Sequence, residues 1–112
     1  MKYVIIILCL LISSAAQAEY FKGNQLKMHC IKQGNYHEGM CQGYIMGIHD
    51  AIVLMEDTWQ DGKHTVCLPA KTKATELKKI VMQRLNTNDI EYLQGSASDI
   101  VWEALLQHYP CN

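Results

Sequence analysis

Cysteines are the residues in this sequence most able to carry chemistry, and there are five of them. Cys9 lies in an apolar N-terminal run, whereas Cys30, Cys41, Cys67 and Cys111 are spread over the rest of the chain. None of these four forms the Cys-x-x-Cys pair that zinc sites and thiol oxidoreductases use. An even number of cysteines in an exported chain is typical of structural disulfides. The sequence therefore predicts two disulfides, and three pairings are open.

Histidines are the other candidates for acid–base or metal chemistry, at positions 29, 37, 49, 64 and 108. Their spacing lacks the His-x-x-x-His pair that places two ligands on one helix face. His49 and Asp50 are neighbours on a predicted helix, where successive side chains point about 100° apart, so they do not make a base and its orienting partner. We therefore expect no enzymatic activity, no bound metal and no cofactor.

The N-terminus has the three parts of a secretory signal. Lys2 precedes an apolar run from Tyr3 to Ile12, and Ala16-Gln17-Ala18 provides a small-residue cleavage site. The alternative is an uncleaved anchor, but the run has roughly half the length that a membrane-spanning helix needs. We expect residues 1–18 to be a signal peptide and residues 19–112 to form a single exported domain without a membrane segment.

The charge balance excludes some classes of partner. The formal net charge is −1 for the whole sequence and becomes −2 without Lys2, so a nucleic-acid binder or a binder of anionic membranes is not indicated. The distribution is uneven, because basic residues concentrate between Lys71 and Arg84 whereas residues 85–112 contain no Lys or Arg. Such a distribution serves either solvation or electrostatic steering toward a protein partner.

Hydrophobic periodicity predicts helices through the first half of the domain. A short helix over Gln25–Lys32 follows the cap Gly23-Asn24, and a longer one runs from about Gly39 to Met55. Small residues recur every four positions along the longer helix, at Gly39, Gly43, Gly47 and Ala51. Because this spacing stacks them on one side, we expect the backbone of a neighbouring helix to pack closely there.

The second half predicts a polar loop and two further helices. The loop covers residues 57–66, one helix runs from about Thr72 to Leu85, and the last runs from Ala97 to about His108, with Ser96 and Asp99 resembling a capping box. We therefore expect an all-α bundle of four or five helices. A ten-residue loop could return along the long helix, which favours the pairs Cys41–Cys67 and Cys30–Cys111.

The order of these motifs resembles the Tai family of type VI secretion amidase-immunity proteins, also called the Rap/Tai family. The matching pieces are Gly23-Asn24-x-Leu26 with Cys30, Gly39-x-Cys41-x-Gly43-Tyr44-Ile45-x-Gly47-Ile48-x-Asp50-Ala51, Cys67-x-Pro69, Leu77 with Val81, and Ala104-Leu105 running to Pro110-Cys111. The chain departs from the family pattern at Lys71-Thr72-Lys73 and over residues 86–94, where a specificity surface could lie. We expect the motif residues Gly39, Gly43, Tyr44, Gly47 and Asp50 to hold the fold.

The resemblance implies a periplasmic antidote that binds a peptidoglycan amidase effector, covers its cysteine–histidine active site and protects self or kin cells. It also implies a homodimer. A small periplasmic disulfide-bonded chaperone or acid-stress protein is the alternative, and it would bind many unfolded clients weakly. A hydrolase or thiol enzyme is a third interpretation.

The segment from Glu56 to His64 is the predicted partner-binding region. Its candidate contact residues are Glu56, Asp57, Trp59, Asp61 and His64. Trp59 is the proposed anchor, because an aromatic side chain on a polar loop between disulfide-fixed ends makes an efficient contact. The alternative is that Trp59 folds back over the core.

Overall fold

The computed structural model describes Tyr3 and residues 19–112, so the predicted signal peptide lies, apart from Tyr3, outside the described residues. Residues 19–112 contain five helices and no strand: α1 (Gly23–Ile31), α2 (Asn35–Trp59), α3 (Ala74–Leu85), α4 (Ile90–Leu93) and α5 (Ala97–His108). Two isolated β-bridges join Lys22 to Ser96 and Val66 to Pro110. The predicted all-α fold is confirmed. No helix among the described residues is long and apolar enough to cross a membrane.

The core lies where α1, α3 and α5 pack against one side of α2. Cys41, Ile45 and Ile52 form the buried side of α2, as helical spacing predicts. The largest fully buried side chains are Leu26, Ile45, Leu85, Leu105, Val81, Val101 and Cys41. Each buried Leu, Ile or Val contributes roughly 1.5–3 kcal/mol by leaving water, so the bundle is held mainly by these aliphatic contacts.

The long helix α2 begins earlier and ends later than the sequence predicts. It begins immediately after Gly34, whose φ of 115° belongs to a region that side chains other than glycine rarely adopt. It then continues through Gly39, Gly43 and Gly47 to Trp59. At 1.5 Å per residue, this helix is about 37 Å long. The polar loop is correspondingly shorter than predicted.

The domain contains two disulfides, as predicted, but the predicted pairing of the four cysteines is wrong. Cys30 is bonded to Cys41 and Cys67 to Cys111, with Cα–Cα distances of 4.9 Å and 5.0 Å. The first bond closes the turn between α1 and α2. The second joins the segment before α3 to the C-terminus, beside backbone hydrogen bonds from Cys67 N to Tyr109 O (2.9 Å) and from Cys111 N to Thr65 O (3.0 Å).

The expected pair Cys41–Cys67 fails because of the length of α2. From Cys41 to Trp59 the helix rises about 27 Å, and the eight residues from Trp59 to Cys67 would have to be almost fully extended to return that far. The chain instead turns back close to the end of α2, where Thr65 bonds the Glu56 side chain. Cys67 then runs beside the C-terminal segment, where its N–H donates to Tyr109 O and its sulfur bonds Cys111, while Cys41 is bonded to Cys30.

Gly23 is a position of close approach. A Cβ atom there would lie 2.5 Å from Ile100 Cδ1 and 3.0 Å from Leu93 O, and Gly23 N donates to Gly95 O at 2.9 Å. The N-cap of α1 is Lys22, whose backbone N–H donates to Gln25 Oε1. At α5, Ser96 is the N-cap, but its side chain contacts Ser98 Oγ and makes no capping bond. The predicted capping box is therefore absent at this helix.

Candidate partner-binding surface

A buried carboxylate organises the carboxyl end of α2. Glu56 is only 4% exposed and accepts hydrogen bonds from Thr65 N (3.1 Å), from the Thr65 hydroxyl and from His64 Nδ1 (3.2 Å). Its backbone carbonyl accepts from Gln60 N and Gly62 N. One residue thus holds both the turn that ends the helix and the strand-like segment that returns from it.

The electrostatics of this cluster favour an ionised Glu56. Burial acts to raise the pKa of Glu56, but the hydrogen bonds from Thr65 and His64 outweigh burial and hold this pKa below its ordinary value. His64 also places Nε2 3.2 Å from Asp57 Oδ1, so its ring lies between two carboxylates. The structure therefore brings three of the predicted candidates together. Because it is buried, Glu56 acts as a positioning residue.

Trp59 projects from the end of α2, and 75% of it is exposed. The alternative in which this ring folds back over the core is not the arrangement in the structure. Asp61 and Gly62 form the turn that follows, with φ values of 52° and 73°, and Asp57 and Asp61 are exposed. We call residues 57–63 the α2 tip: an exposed aromatic ring among acidic side chains on a fixed turn.

The glycine stripe of α2 faces outward. A Cβ atom added at Gly39, Gly43 or Gly47 would meet nothing within 4 Å, and Ala51 is exposed. The close approach of a neighbouring helix is therefore not found within the described part of the chain. Exposed apolar side chains also lie along α2, at Tyr36, Met40, Met46, Leu54 and Met55. We call this surface the glycine face.

An apolar groove adjoins the glycine face between α2 and α5. It has a volume of about 290 Å³, and its lining residues are Ile48, Ala51, Ile52, Met55, Ser98, Asp99 and Trp102. Trp102, which is 42% exposed, was missed by the sequence analysis. A signal was available, because Trp102 lies off the buried positions Ile100, Val101 and Ala104 of α5. Exposed Trp and Met side chains are enriched at protein interfaces.

Some of the uneven charge is neutralised inside the domain. Lys78 Nζ lies 2.5 Å from Glu38 Oε2, and Arg84 Nη1 lies 3.5 Å from Glu103 Oε2. The bond from Lys78, followed by the bond from Gln42, lowers the pKa of Glu38. These pairs tie the basic helix α3 to α2 and α5, so the steering charge available to a partner is smaller than the sequence indicates.

The histidines, carboxylates and cysteines of the described residues are the side chains that could carry catalysis or bind a metal ion. Within the described ranges, no group of three or more His, Cys, Asp or Glu side chains is arranged so that it could hold a metal ion. His49 Nδ1 lies 3.9 Å from Asp50 Oδ1, and Asp50 is largely exposed. All four cysteines of residues 19–112 are oxidised.

Comparison with known proteins adds one finding. A family model described as Rap1a immunity proteins matches residues 22–111, which is almost the whole described domain. The chain therefore belongs to this family, and the resemblance found in the motifs is confirmed. No curated protein and no solved structure matches the chain.

Proposed function

We propose that this member of the Rap1a immunity protein family is a periplasmic inhibitor that binds a peptidoglycan amidase effector of type VI secretion. Binding would cover the active site of the amidase and protect the cell that makes the inhibitor, or its kin. Family membership supports the immunity role, and the amidase as target comes from the motif resemblance. The chain acts by binding and has no catalysis of its own.

The observation that carries a binding role is the display of Trp59 on a rigid tip. Binding hot spots are enriched in tryptophan, and a side chain already held in place loses less entropy on association. Glu56 fixes the tip from inside the domain, and the Cys67–Cys111 bond fixes the segment that follows. Asp57, Asp61 and the exposed edge of His64 would surround the Trp59 anchor with polar contacts.

The periplasm is the proposed location. Two disulfides are expected where thiols oxidise and are rare in the cytosol. The pattern over residues 1–18 predicts the export signal. An inhibitor of a cell-wall enzyme must meet it in the compartment that contains the cell wall, so location and target agree.

A homodimer is also proposed, with the glycine face as its interface. Three glycines within one helix cost roughly 1 kcal/mol each relative to alanine, and no packing within the described chain offsets that cost. In an antiparallel pair of α2 helices, Gly43 of one copy would meet Gly47 of the other. Close backbone contact and burial of Met46 and Leu54 would then supply the missing stabilisation.

Protection from lysis tests the proposal directly. Candidate amidases are exported to the periplasm with or without the chain, and the optical density of the culture is followed. We expect the chain to prevent lysis by one amidase and to leave lysis by an unrelated exported cell-wall hydrolase unchanged. Lysis at the same rate with and without the chain, for every amidase encoded beside a gene of this family, would refute the proposal.

A further inference from the structure

Two histidines meet at the junction of α1 and α2, away from the α2 tip. His29 lies in the last turn of α1, and His37 lies in the first turn of α2. Their Nδ1 atoms are 2.9 Å apart. His29 is 8% exposed. The ring of Phe21 stacks on His29 at 6.0 Å, and Tyr36 stands edge-on to both imidazoles.

This contact requires two neutral rings of different tautomers. One Nδ1 carries a proton and donates it, and the other Nδ1 accepts with its lone pair. The accepting Nδ1 therefore presents a lone pair, and the donating ring presents one at Nδ1 once its proton moves to Nε2. Neutral imidazole nitrogen is the form that binds transition metals.

We propose that His29 and His37 form a two-nitrogen site for Cu²⁺. Two nitrogens about 2.0 Å from one ion are about 2.8 Å apart at neighbouring corners of a square and about 3.3 Å apart on a tetrahedron. The observed 2.9 Å is the length of the hydrogen bond between the two Nδ1 atoms, and it lies within about 0.5 Å of both separations, so a small rotation of the rings lets one ion reach both nitrogens. On binding, both rings turn toward the ion, and the Nδ1 proton of the donor ring moves through solvent to Nε2. Water fills the other corners.

The surroundings hold the two ligands in place. The Cys30–Cys41 disulfide joins the residue after His29 to α2, one helical turn beyond His37. It fixes the ends of α1 and α2 before any ion arrives, and it leaves neither cysteine as a competing thiolate. The affinity order of divalent ions at nitrogen sites also places Cu²⁺ above Ni²⁺ and Zn²⁺. Lys32 opposes binding, but it is exposed, and salt screens its charge.

The test is a Cu²⁺ titration of the oxidised protein, purified without a histidine tag. Isothermal titration gives the affinity and stoichiometry, and electron paramagnetic resonance counts the bound nitrogens. We expect one Cu²⁺ per chain with two imidazole nitrogens, and binding at least about tenfold weaker in His37→Ala, because the second ligand acts intramolecularly. His108→Ala is the matched control, since His108 is exposed and distant in sequence, and it should leave the affinity unchanged.

A charge variant supplies a second readout that does not remove a ligand. Lys32→Glu should tighten Cu²⁺ binding severalfold, and Lys63→Glu, the same change at the α2 tip, should not. Equal affinity in the wild type and His37→Ala, or a spectrum with one nitrogen, would overturn the proposal. So would equal weakening by His37→Ala and His108→Ala, because that result means only scattered surface binding.

Discussion

Replacing Glu56 tests whether a buried carboxylate holds the α2 tip. The Glu56→Ala change removes the acceptor for three hydrogen bonds, two from Thr65 and one from His64. A hydrogen bond to a charged group contributes about 1.5–3 kcal/mol, and a buried donor left without a partner costs about 1–3 kcal/mol. Water can enter part of the vacated space, so the bonds do not add fully. We expect a loss of about 3 kcal/mol.

Denaturant unfolding of the oxidised protein measures this loss, with both disulfides kept intact. For a domain of this size, about 3 kcal/mol corresponds to a fall of roughly 15 °C in Tm. Glu56→Gln keeps one carbonyl acceptor and should lose about half as much. Asp57→Asn is the control, because Asp57 contacts the same histidine from an exposed position and such pairs contribute about 1 kcal/mol at most.

The pH dependence of stability in the same variants distinguishes the effect of the Glu56 charge from the effect of its shape. The pKa of Glu56 is lowered in the folded state from its ordinary value of 4.5. A lowered pKa adds stability that is fully present above the unfolded value and is lost as the pH falls through the folded value. Stability of the wild type should therefore decline below about pH 4.5, and Glu56→Gln should decline less steeply. If Glu56→Ala loses no more stability than Asp57→Asn, Glu56 does not hold the tip.

Three further results are expected. Trp59→Ala should weaken amidase binding by about 2 kcal/mol or more in calorimetry, with Tm unchanged. Ile90→Ala, which also truncates an exposed apolar side chain, should leave the affinity for the amidase unaltered, and equal affinity of the two variants would reject Trp59 as the anchor. Gly47→Ala should stabilise the monomer by about 0.5–1 kcal/mol, because its Cβ enters open space. Gly23→Ala should destabilise the monomer by about 1–3 kcal/mol, because its Cβ meets Ile100 at 2.5 Å. Denaturation at low protein concentration compares the two variants, and a Gly23→Ala protein more stable than the Gly47→Ala protein would contradict the packing described. Replacing Cys67 and Cys111 by serine should lower the free energy of unfolding by about 4 kcal/mol, and replacing Cys30 and Cys41 should lower it by about 3 kcal/mol. The difference arises because the sequence separations are 44 and 11. A larger loss for the shorter loop would show that chain entropy does not govern the stabilisation by these disulfides.

Helix periodicity predicted the buried faces well, because burial repeats with the helical turn. Leu77, Val81 and Leu85 on α3, and the limits of α5, are where the spacing places them. Contacts between side chains distant in sequence were not predictable in this way. The bond from Thr65 to Glu56 at the turn after α2 and the disulfide between Cys67 and Cys111 are both contacts of this kind.

The glycine spacing shows a different limit of sequence reasoning. The pattern correctly placed Gly39, Gly43 and Gly47 on one helix, but it did not say whether the adjacent surface belongs to the same chain. Close packing of small residues looks the same in sequence whether the second helix is internal or comes from a partner. The exposure of the glycines distinguishes an internal helix from a partner helix, and this exposure depends on how α1, α3 and α5 pack against the opposite side of α2.

The two anchored ends of the α2 tip explain why so small a domain could bind tightly. Ordering a flexible side chain at an interface costs about 0.5–1.5 kcal/mol, and ordering a loop costs more. Here Glu56 holds the tip on one side, and the Val66–Pro110 bridge with the Cys67–Cys111 bond holds it on the other. The tip is therefore already ordered when the domain folds, so the contacts of Trp59 would contribute to affinity without this ordering cost. By this argument we expect the C-terminal disulfide to affect the proposed binding although it lies outside the tip.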